Sequence, residues 1–201
     1  KIMSEKNVPY SKQNITSDDI KLVNKVLKSD YLTSGPIVKI FEKNLSMEVN
    51  AKFAISANSA TSALHISCMA LGLKEKDIVW TSSISFVASA NCAKYCGAKV
   101  EFLDIDKETY NIELKKLEDK LKASKKKNSL PKIIIPVHLG GNPCNMEKIY
   151  LLSKKYKFKI IEDASHALGS KFKKSKIGSC KYSDLTVFSF HPVKMITTAE
   201  G

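Results

Sequence analysis

Short apolar runs alternate with longer amphipathic stretches along almost the whole chain. Several of the short runs have β-branched residues at successive positions, which is typical of strands covered on both faces. This alternation predicts βαβ units, and therefore an α/β fold with a mostly parallel sheet flanked by helices. The predicted strands are residues 53–57, 78–81, 100–103, 133–137, 159–162 and 185–190. The predicted helices are residues 17–27, 37–49, 59–71, 86–95, 113–123 and 146–156.

Local signals refine the ends of these elements. The run Thr16-Ser17-Asp18-Asp19 is a capping sequence, so it marks the start of the first helix. Residues 122–131 are polar and rich in lysine, which predicts a surface loop. Residues before the first strand are interpreted as an arm and helices laid on the sheet. We expect residues 1–201 to form one such domain, because the chain is long enough to bury a core.

The chain is strongly basic, with a formal net charge of +13 and a pI of about 9.4. All 33 basic residues are lysines, and they are scattered apart from one short run at 125–127. Arginine is the preferred residue for bidentate contacts to phosphates and bases. Scattered charge is usually a solvated surface. We therefore expect no nucleic-acid partner.

The five cysteines are odd in number and form no C-x-x-C pair. This usage indicates a reducing compartment and predicts a cytoplasmic protein. No apolar stretch is long enough to cross a membrane and no signal-peptide core stands at the start, so no membrane partner is expected. His65, His138 and His191 have no carboxylate or cysteine at ligand spacing, so no metal site is expected either.

Two strand ends carry the most informative residues. The run from Ile160 to Gly169 is interpreted as a buried strand that ends on Asp163, although a lone carboxylate there could also cap a helix. The run Val187 to Lys194 is interpreted as a second strand that delivers a lysine after Pro192. An Asp and a Lys placed this way suit pyridoxal 5′-phosphate: the carboxylate keeps the pyridine nitrogen protonated, and the amine holds the cofactor as a Schiff base.

A small-residue turn at 58–64 follows a predicted strand and opens a helix. Backbone N–H groups at such a helix start favour an anion, and Thr61 and Ser62 add hydroxyl donors. A simple helix cap is the alternative interpretation. Ligands of open α/β sheets lie beyond the carboxyl ends of the strands, and this turn, Asp163 and Lys194 are all expected there.

Three further side chains follow the predicted strands at the same edge. Phe86 could stack on a flat heteroaromatic ring, but a phenylalanine entering a helix could equally belong to the core. His166 could cover the ring or bind its hydroxyl, and a satisfied, partly buried histidine is the alternative. Ser189 precedes Lys194 by five positions and is a candidate phosphate donor.

At these residues the chain resembles the sugar-nucleotide aminotransferases of the DegT/DnrJ/EryC1/StrS family. The resemblance runs from Tyr10 to Gly201, and the segments 58–64, 85–91, 162–169 and 188–201 are specific in this order. It implies the large domain of the type I PLP-dependent aminotransferase fold. Because family chains continue past Glu200-Gly201 into a smaller domain, we expect that C-terminal domain to be missing here.

The resemblance also implies roles for residues at matching positions. Lys194 is the expected catalytic residue, which binds the cofactor and carries the 1,3-proton shift. The other expected cofactor contacts are Thr61, Ser62 and Ser189 at the phosphate, Phe86 on the ring face, Asp163 at the pyridine nitrogen, and His166. The expected substrate contacts are Tyr10, Tyr31, Leu32, Thr33, Ala60 and Ser189.

The implied reaction has two halves. Glutamate donates its amino group to the cofactor, and the amine then passes to the 4-keto carbon of a UDP-linked 4-keto-6-deoxy-N-acetylhexosamine in pseudaminic acid biosynthesis. A homodimer is implied as well. Three alternatives stay open: an acceptor linked to GDP or dTDP, a catalytically silent scaffold, and a basic nucleic-acid-binding module. Because some relatives with His in place of the lysine are dehydratases, the presence of Lys194 favours transamination.

Overall fold

The computed structural model of the protein describes residue 9 and residues 11–200. Its centre is a five-stranded parallel sheet of β1 (Ile78–Ser82), β2 (Lys99–Leu103), β3 (Ile133–Ile135), β4 (Lys159–Asp163) and β7 (Leu185–Val187). The order of the strands across the sheet is β2-β1-β3-β4-β7. The α/β class and the mostly parallel sheet predicted from the sequence are confirmed.

Helices cover both faces of this sheet. The helices of the described residues are α1 (Ser17–Leu27), α2 (Pro36–Val49), α3 (Ala60–Ala70), α4 (Ala88–Tyr95), α5 (Leu114–Lys126) and α6 (Met146–Tyr156). Helices α3 and α4 cover one face of the sheet, and α5 and α6 cover the other. Successive residues of a strand point to opposite faces. Accordingly, Ile134 and Ile160 join the core beneath α5 and α6, while Ile133, Ile135 and Ile161 join the core beneath α3 and α4. Each of these isoleucines is at most 1% exposed, and burial of one such side chain contributes about 1.5–3 kcal/mol.

The predicted start of α1 is confirmed in detail. Thr16 caps the helix, and Asp19 reaches back to the Thr16 backbone N–H at 2.7 Å. The predicted surface loop at 122–131 is wrong in its first part, because α5 continues through Lys126. Ion pairs from Lys122 to Glu118 and Asp119 lie along this extended helix.

The predicted strand at 53–57 is wrong. This segment pairs with no strand among the described residues, and Phe53 and Ile55 are 74% and 88% exposed. Instead, the Glu42 carboxylate of α2 accepts hydrogen bonds from the Ser56 backbone N–H at 2.7 Å and from its hydroxyl at 2.9 Å. A side chain on a helix therefore satisfies a backbone donor that a neighbouring strand would otherwise bind.

Other predicted boundaries shift by a few residues. Strand β3 ends at Ile135, before Pro136, which has no N–H to donate to a ladder. Strand β7 ends at Val187, so 188–190 lie in the loop that follows it. A short 3₁₀ helix (Leu139–Gly141) and a two-stranded hairpin of β5 (Lys171–Phe172) and β6 (Ser175–Lys176) were not predicted.

None of the helices within the described part of the chain is long and apolar enough to cross a membrane. The location in the cytoplasm stays a prediction. So does the interpretation of residues 1–201 as one domain with an N-terminal arm.

Candidate active site

A cavity of about 550 Å³ lies at the edge of the sheet where the parallel strands end. The loops after β3, β4 and β7 line it together with the start of α3 and the segment that leads into α4. A cavity of this size is in the usual range for small-molecule sites, which is about 300–1,000 Å³. The predicted site residues on its wall are Ala60, Thr61, Phe86, Asp163, His166, Ser189 and Lys194.

Asp163 is the last residue of β4 and is 4% exposed. Its Oδ1 accepts hydrogen bonds from the Ser165 backbone N–H at 3.2 Å and from the Ser165 hydroxyl at 2.7 Å. Its Oδ2 accepts a hydrogen bond from the Ser89 hydroxyl at 2.5 Å. The chain turns after Asp163 without entering a helix, so the helix-cap interpretation is wrong. Sequence reasoning missed both serines, although Ser165 follows Asp163 at the spacing of a local turn.

Lys194 lies in the turn that follows β7. Its backbone N–H donates to the His191 carbonyl at 2.9 Å, which closes this turn. The side chain is partly buried on the cavity wall. Burial lowers the pKa of Lys194 below its ordinary value, and the Asp163 carboxylate opposes part of this shift. A larger fraction of neutral amine is therefore present near neutral pH, as a nucleophile or base requires.

His166 is fixed by the turn at Leu139–Gly141. The Gly140 backbone N–H donates to His166 Nδ1 at 3.3 Å. Because a backbone N–H can only donate, the neutral ring carries its hydrogen on Nε2. Burial and the charge of Lys194 lower the pKa of His166, while Asp163 opposes the shift. His166 is therefore a neutral hydrogen-bond donor, and Gly140 is a site residue that the sequence did not indicate.

The turn before α3 is both a helix cap and a candidate anion site. Ser59 caps the helix, since its hydroxyl oxygen accepts the Ser62 backbone N–H at 3.1 Å. The Ser59 hydroxyl donates to the Ser62 hydroxyl, also at 3.1 Å. Ser59, Ala60 and Thr61 face the cavity, whereas Ser62 does not line it. Ser189 reaches the same cavity from the loop after β7 and is 6% exposed.

The remaining predicted contacts fall into separate places. Phe86 is 70% exposed on the cavity wall, so the alternative that it belongs to the core is wrong. The run Tyr31, Leu32 and Thr33 is exposed between α1 and α2 and does not line the cavity. Tyr10 lies outside the described residues.

A second buried network lies on the other face of β4. Glu162 is 3% exposed and accepts hydrogen bonds from His138 Nε2 at 2.8 Å, from the Ser183 hydroxyl and from Thr186 Oγ1 at 3.1 Å. His138 Nδ1 accepts the Cys144 backbone N–H at 3.1 Å. No partner of His138 was predicted, because Glu162 is distant along the chain. Among the described residues, no group of three or more His, Cys, Asp or Glu side chains could hold a metal ion.

The sequence and the fold of this chain both match known proteins. Residues 13–201 match the sequence profile of the DegT/DnrJ/EryC1/StrS aminotransferase family. Over 194 residues the chain is 50% identical to the UDP-4-amino-4,6-dideoxy-N-acetyl-beta-L-altrosamine transaminase of Campylobacter jejuni subsp. jejuni serotype O:23/36 (strain 81-176). That alignment covers 96% of this chain and 50% of the relative.

Solved structures agree with the sequence match. The PLP form of a putative sugar aminotransferase, Spr1654 from Streptococcus pneumoniae, superposes with a TM-score of 0.87 at 32% identity, over 97% of this chain and 52% of that one. Helicobacter pylori PseC, an aminotransferase involved in the biosynthesis of pseudoaminic acid, gives a TM-score of 0.85 at 34% identity, over 96% and 50%. The chain spans about half the length of the relatives that it matches.

Proposed function

Because the chain belongs to the DegT/DnrJ/EryC1/StrS aminotransferase family, we propose that the full-length protein is a PLP-dependent sugar aminotransferase. One observation carries this proposal: Asp163 and Lys194 lie on the wall of one cavity, close enough for the charge of Asp163 to affect Lys194. The carboxylate retains lone pairs for a further donor. The partly buried amine and the helix start at Ser59–Thr61 provide the other groups that this cofactor requires.

Bound in this cavity, the cofactor would supply an electron-accepting pyridine ring that allows an amino group to pass between two carbon skeletons. Asp163 would hold the proton on the ring nitrogen. Lys194 would bind the cofactor through its amine and move protons during the reaction. Its lowered pKa favours both roles, because a larger fraction of the amine is neutral.

The other cavity residues would bind and orient. The start of α3 with Thr61, joined by Ser189, would hold the phosphate group, since backbone N–H groups and hydroxyls there favour an anion. Ser62 does not line the cavity, so its hydroxyl would have to leave Ser59 to join them. Phe86 would cover one face of the ring. His166 would donate from Nε2 to the ring oxygen, because Gly140 occupies its other nitrogen.

For the substrates, we propose glutamate as amino donor and a UDP-linked 4-keto-6-deoxy-N-acetylhexosamine as acceptor, in pseudaminic acid biosynthesis. The similarity to the Campylobacter transaminase and to PseC supports this choice. Ala60 and Ser189 would contact the nucleotide sugar from the cavity wall. Tyr10, Tyr31, Leu32 and Thr33 are proposed as further substrate contacts. We also propose that the full-length protein is a homodimer.

The test uses the full-length protein mixed with PLP, with Lys194→Ala as control. We expect a visible absorption band that requires Lys194 and bleaches when glutamate is added. Three keto-sugars, linked to UDP, GDP and dTDP, are then offered separately, and only the UDP-linked sugar should restore the band. A band that is absent or indifferent to Lys194 would contradict an aminotransferase and favour a silent scaffold. If the GDP-linked or dTDP-linked sugar restores the band, the protein is still an aminotransferase, and only the proposed acceptor is wrong.

A further inference from the structure

A buried hydroxyl from a distant helix contacts the carboxylate at the centre of the candidate site. Ser89 of α4 is 0% exposed, and its Oγ lies 2.5 Å from Asp163 Oδ2. The two residues are 74 positions apart along the chain. Asp163 is on the face of β4 that α3 and α4 cover, because its side chain points to the same side as that of Ile161. The contact therefore ties the helix layer to the end of the strand.

The two oxygens of Asp163 are held by different parts of the protein. Oδ1 binds Ser165, two residues further along the same loop. Oδ2 binds Ser89 only, among the side-chain contacts of the described residues. The loop contacts restrain Oδ1 alone, so the position of Oδ2 can still change by a combined rotation about the two side-chain bonds. The contact with Ser89 on a packed helix fixes the plane of the group.

The direction of the proton in this contact is also determined. A carboxylate can only accept, so Ser89 donates its hydrogen to Asp163. The Ser85 hydroxyl lies 2.5 Å from the Ser89 oxygen, which can only accept from it once Ser89 has donated to Asp163. The Phe86 carbonyl oxygen, 3.0 Å from Ser85 Oγ, is a second acceptor for the same Ser85 hydrogen. A short chain of hydroxyls thus runs from Ser85 through Ser89 to Asp163.

On this basis we propose that Ser89 is a positioning residue for the pyridine nitrogen of the cofactor, an inference that rests on the proposed function. Ser89 holds Asp163 Oδ2 in the orientation that accepts the N–H of the ring. A carboxylate oxygen has lone pairs for two donors, so the Ser89 contact persists when the ring binds. Ser89 itself does not touch the reacting atoms.

The experiment must separate this role from simple packing of α4. We would measure, by equilibrium dialysis with the full-length protein, the affinities for PLP and for its analogue with C–H in place of the ring nitrogen. Both compounds carry the aldehyde and the phosphate, so the contributions of Lys194 and of the phosphate site cancel in the ratio of the two affinities. The ratio reports the contact between Asp163 and the ring nitrogen.

The matched control is Cys92→Ala. Cys92 is on the same helix, is also 0% exposed and loses one side-chain heavy atom, but its sulfur contacts Cys68 and the Ser89 carbonyl rather than Asp163. We expect Ser89→Ala to reduce the preference for PLP about tenfold, as for loss of a hydrogen bond to a charged group. Cys92→Ala should leave the preference unchanged. Ser89→Cys keeps the number of side-chain heavy atoms with a larger atom and a weaker donor. It should therefore give an intermediate ratio even if the alanine variant fails to fold.

Three results would overturn the inference. An unchanged preference in Ser89→Ala or, if that variant fails to fold, in Ser89→Cys would show that Asp163 is oriented without Ser89. If Cys92→Ala reduces the preference for PLP as much as Ser89→Ala does, the reduction comes from the packing of α4 and not from the Ser89 hydroxyl. If the wild-type protein binds both compounds equally, Asp163 does not contact the ring nitrogen, and the proposed function fails as well. A wild-type preference for PLP that Ser89→Ala leaves unchanged would contradict the role of Ser89 alone.

Discussion

Burial has the largest effect on the charge of Lys194 and His166, and the Asp163 carboxylate opposes it in both. Burial lowers the pKa of both side chains, and Asp163 opposes the shift in each. Lys194 also lowers the pKa of His166. Since its pKa is lowered, the Lys194 amine loses its proton more readily and is suited to act as the nucleophile. The lowered pKa of His166 keeps its ring a neutral hydrogen-bond donor.

The Asp163 carboxylate should therefore keep the pKa of Lys194 from falling further. Reductive methylation with ¹³C-formaldehyde gives each lysine an NMR-visible group, and the Lys194 signal is the one that Lys194→Ala lacks. We expect it to titrate below the ordinary value of 10.5. Asp163→Asn should lower this pKa further, because it removes the negative charge that stabilises the ammonium form.

Asp104→Asn is the control for this titration. Asp104 is an exposed carboxylate that pairs with Lys116 rather than with Lys194. Its removal should leave the Lys194 signal unchanged. An upward shift in Asp163→Asn, or a wild-type titration at 10.5, would contradict the assigned electrostatics.

At the scale of elements, the turn at Leu139–Gly141 depends on its two glycines in different ways. Both have positive φ, +59° at Gly140 and +82° at Gly141. A Cβ at Gly140 would meet no atom within 4 Å, whereas one at Gly141 would lie 2.8 Å from the His166 carbonyl oxygen. The turn can therefore approach the His166 backbone closely only with glycine at position 141.

This difference predicts unequal effects of two similar substitutions. Gly140→Ala should cost about 1 kcal/mol for the left-handed conformation. Gly141→Ala should cost about 1–3 kcal/mol more, because the backbone must move away from His166. Urea titration of the full-length protein measures both free energies of unfolding. Equal losses would show that the turn adjusts without strain.

The buried network of Glu162 joins β4 to the loop after β3, to β7 and to the segment leading into β7. Removal of the carboxylate in Glu162→Ala leaves His138, Ser183 and Thr186 without their acceptor. We expect the free energy of unfolding to fall by about 3–5 kcal/mol, as for other buried pairs that lose one partner. Glu162→Gln retains an acceptor of the same shape and should lose clearly less. Thermal unfolding of both variants measures the two losses of stability. Equal losses would mean that the hydrogen bonds of the network contribute little to stability beyond the charge of Glu162.

At the scale of the whole molecule, exposed apolar side chains lie on the cavity wall and directly after Lys194 in the chain. Phe86, Val193, Met195 and Ile196 are 70%, 45%, 49% and 56% exposed. Exposed apolar clusters of this kind mark interaction surfaces. Their position next to Lys194 supports the proposal that a second copy of the full-length protein covers this face.

Sedimentation velocity of the full-length protein should therefore give twice the mass of one chain. Met195→Glu should raise the dissociation constant of the dimer about tenfold or more, because it places a charge in an apolar contact. Leu151→Glu is the control, since Leu151 is 61% exposed on α6, on the other side of the sheet. A monomer at all concentrations, or equal effects of the two variants, would contradict this arrangement.

The sequence determined the features that depend on neighbouring residues. Alternating patterns gave the order of strands and helices, the capping sequence at Thr16 gave the start of α1, and the strand ends gave Asp163 and Lys194. These signals are readable because burial, helix capping and chain direction act over a few positions. The erroneous strand at 53–57 had the same apolar pattern, but the pattern does not say whether a partner strand is present.

The tertiary structure alone decided which distant side chains meet. Ser89 and Asp163, Gly140 and His166, and His138 and Glu162 are separated by 74, 26 and 24 residues. The strand order β2-β1-β3-β4-β7 and the helix packing bring these groups within hydrogen-bonding distance. A local pattern contains no record of that order, because each pairing depends on the free energy of the entire packed sheet. The reactive groups can therefore be predicted from the sequence, whereas the partners that orient them are identified only in the folded structure.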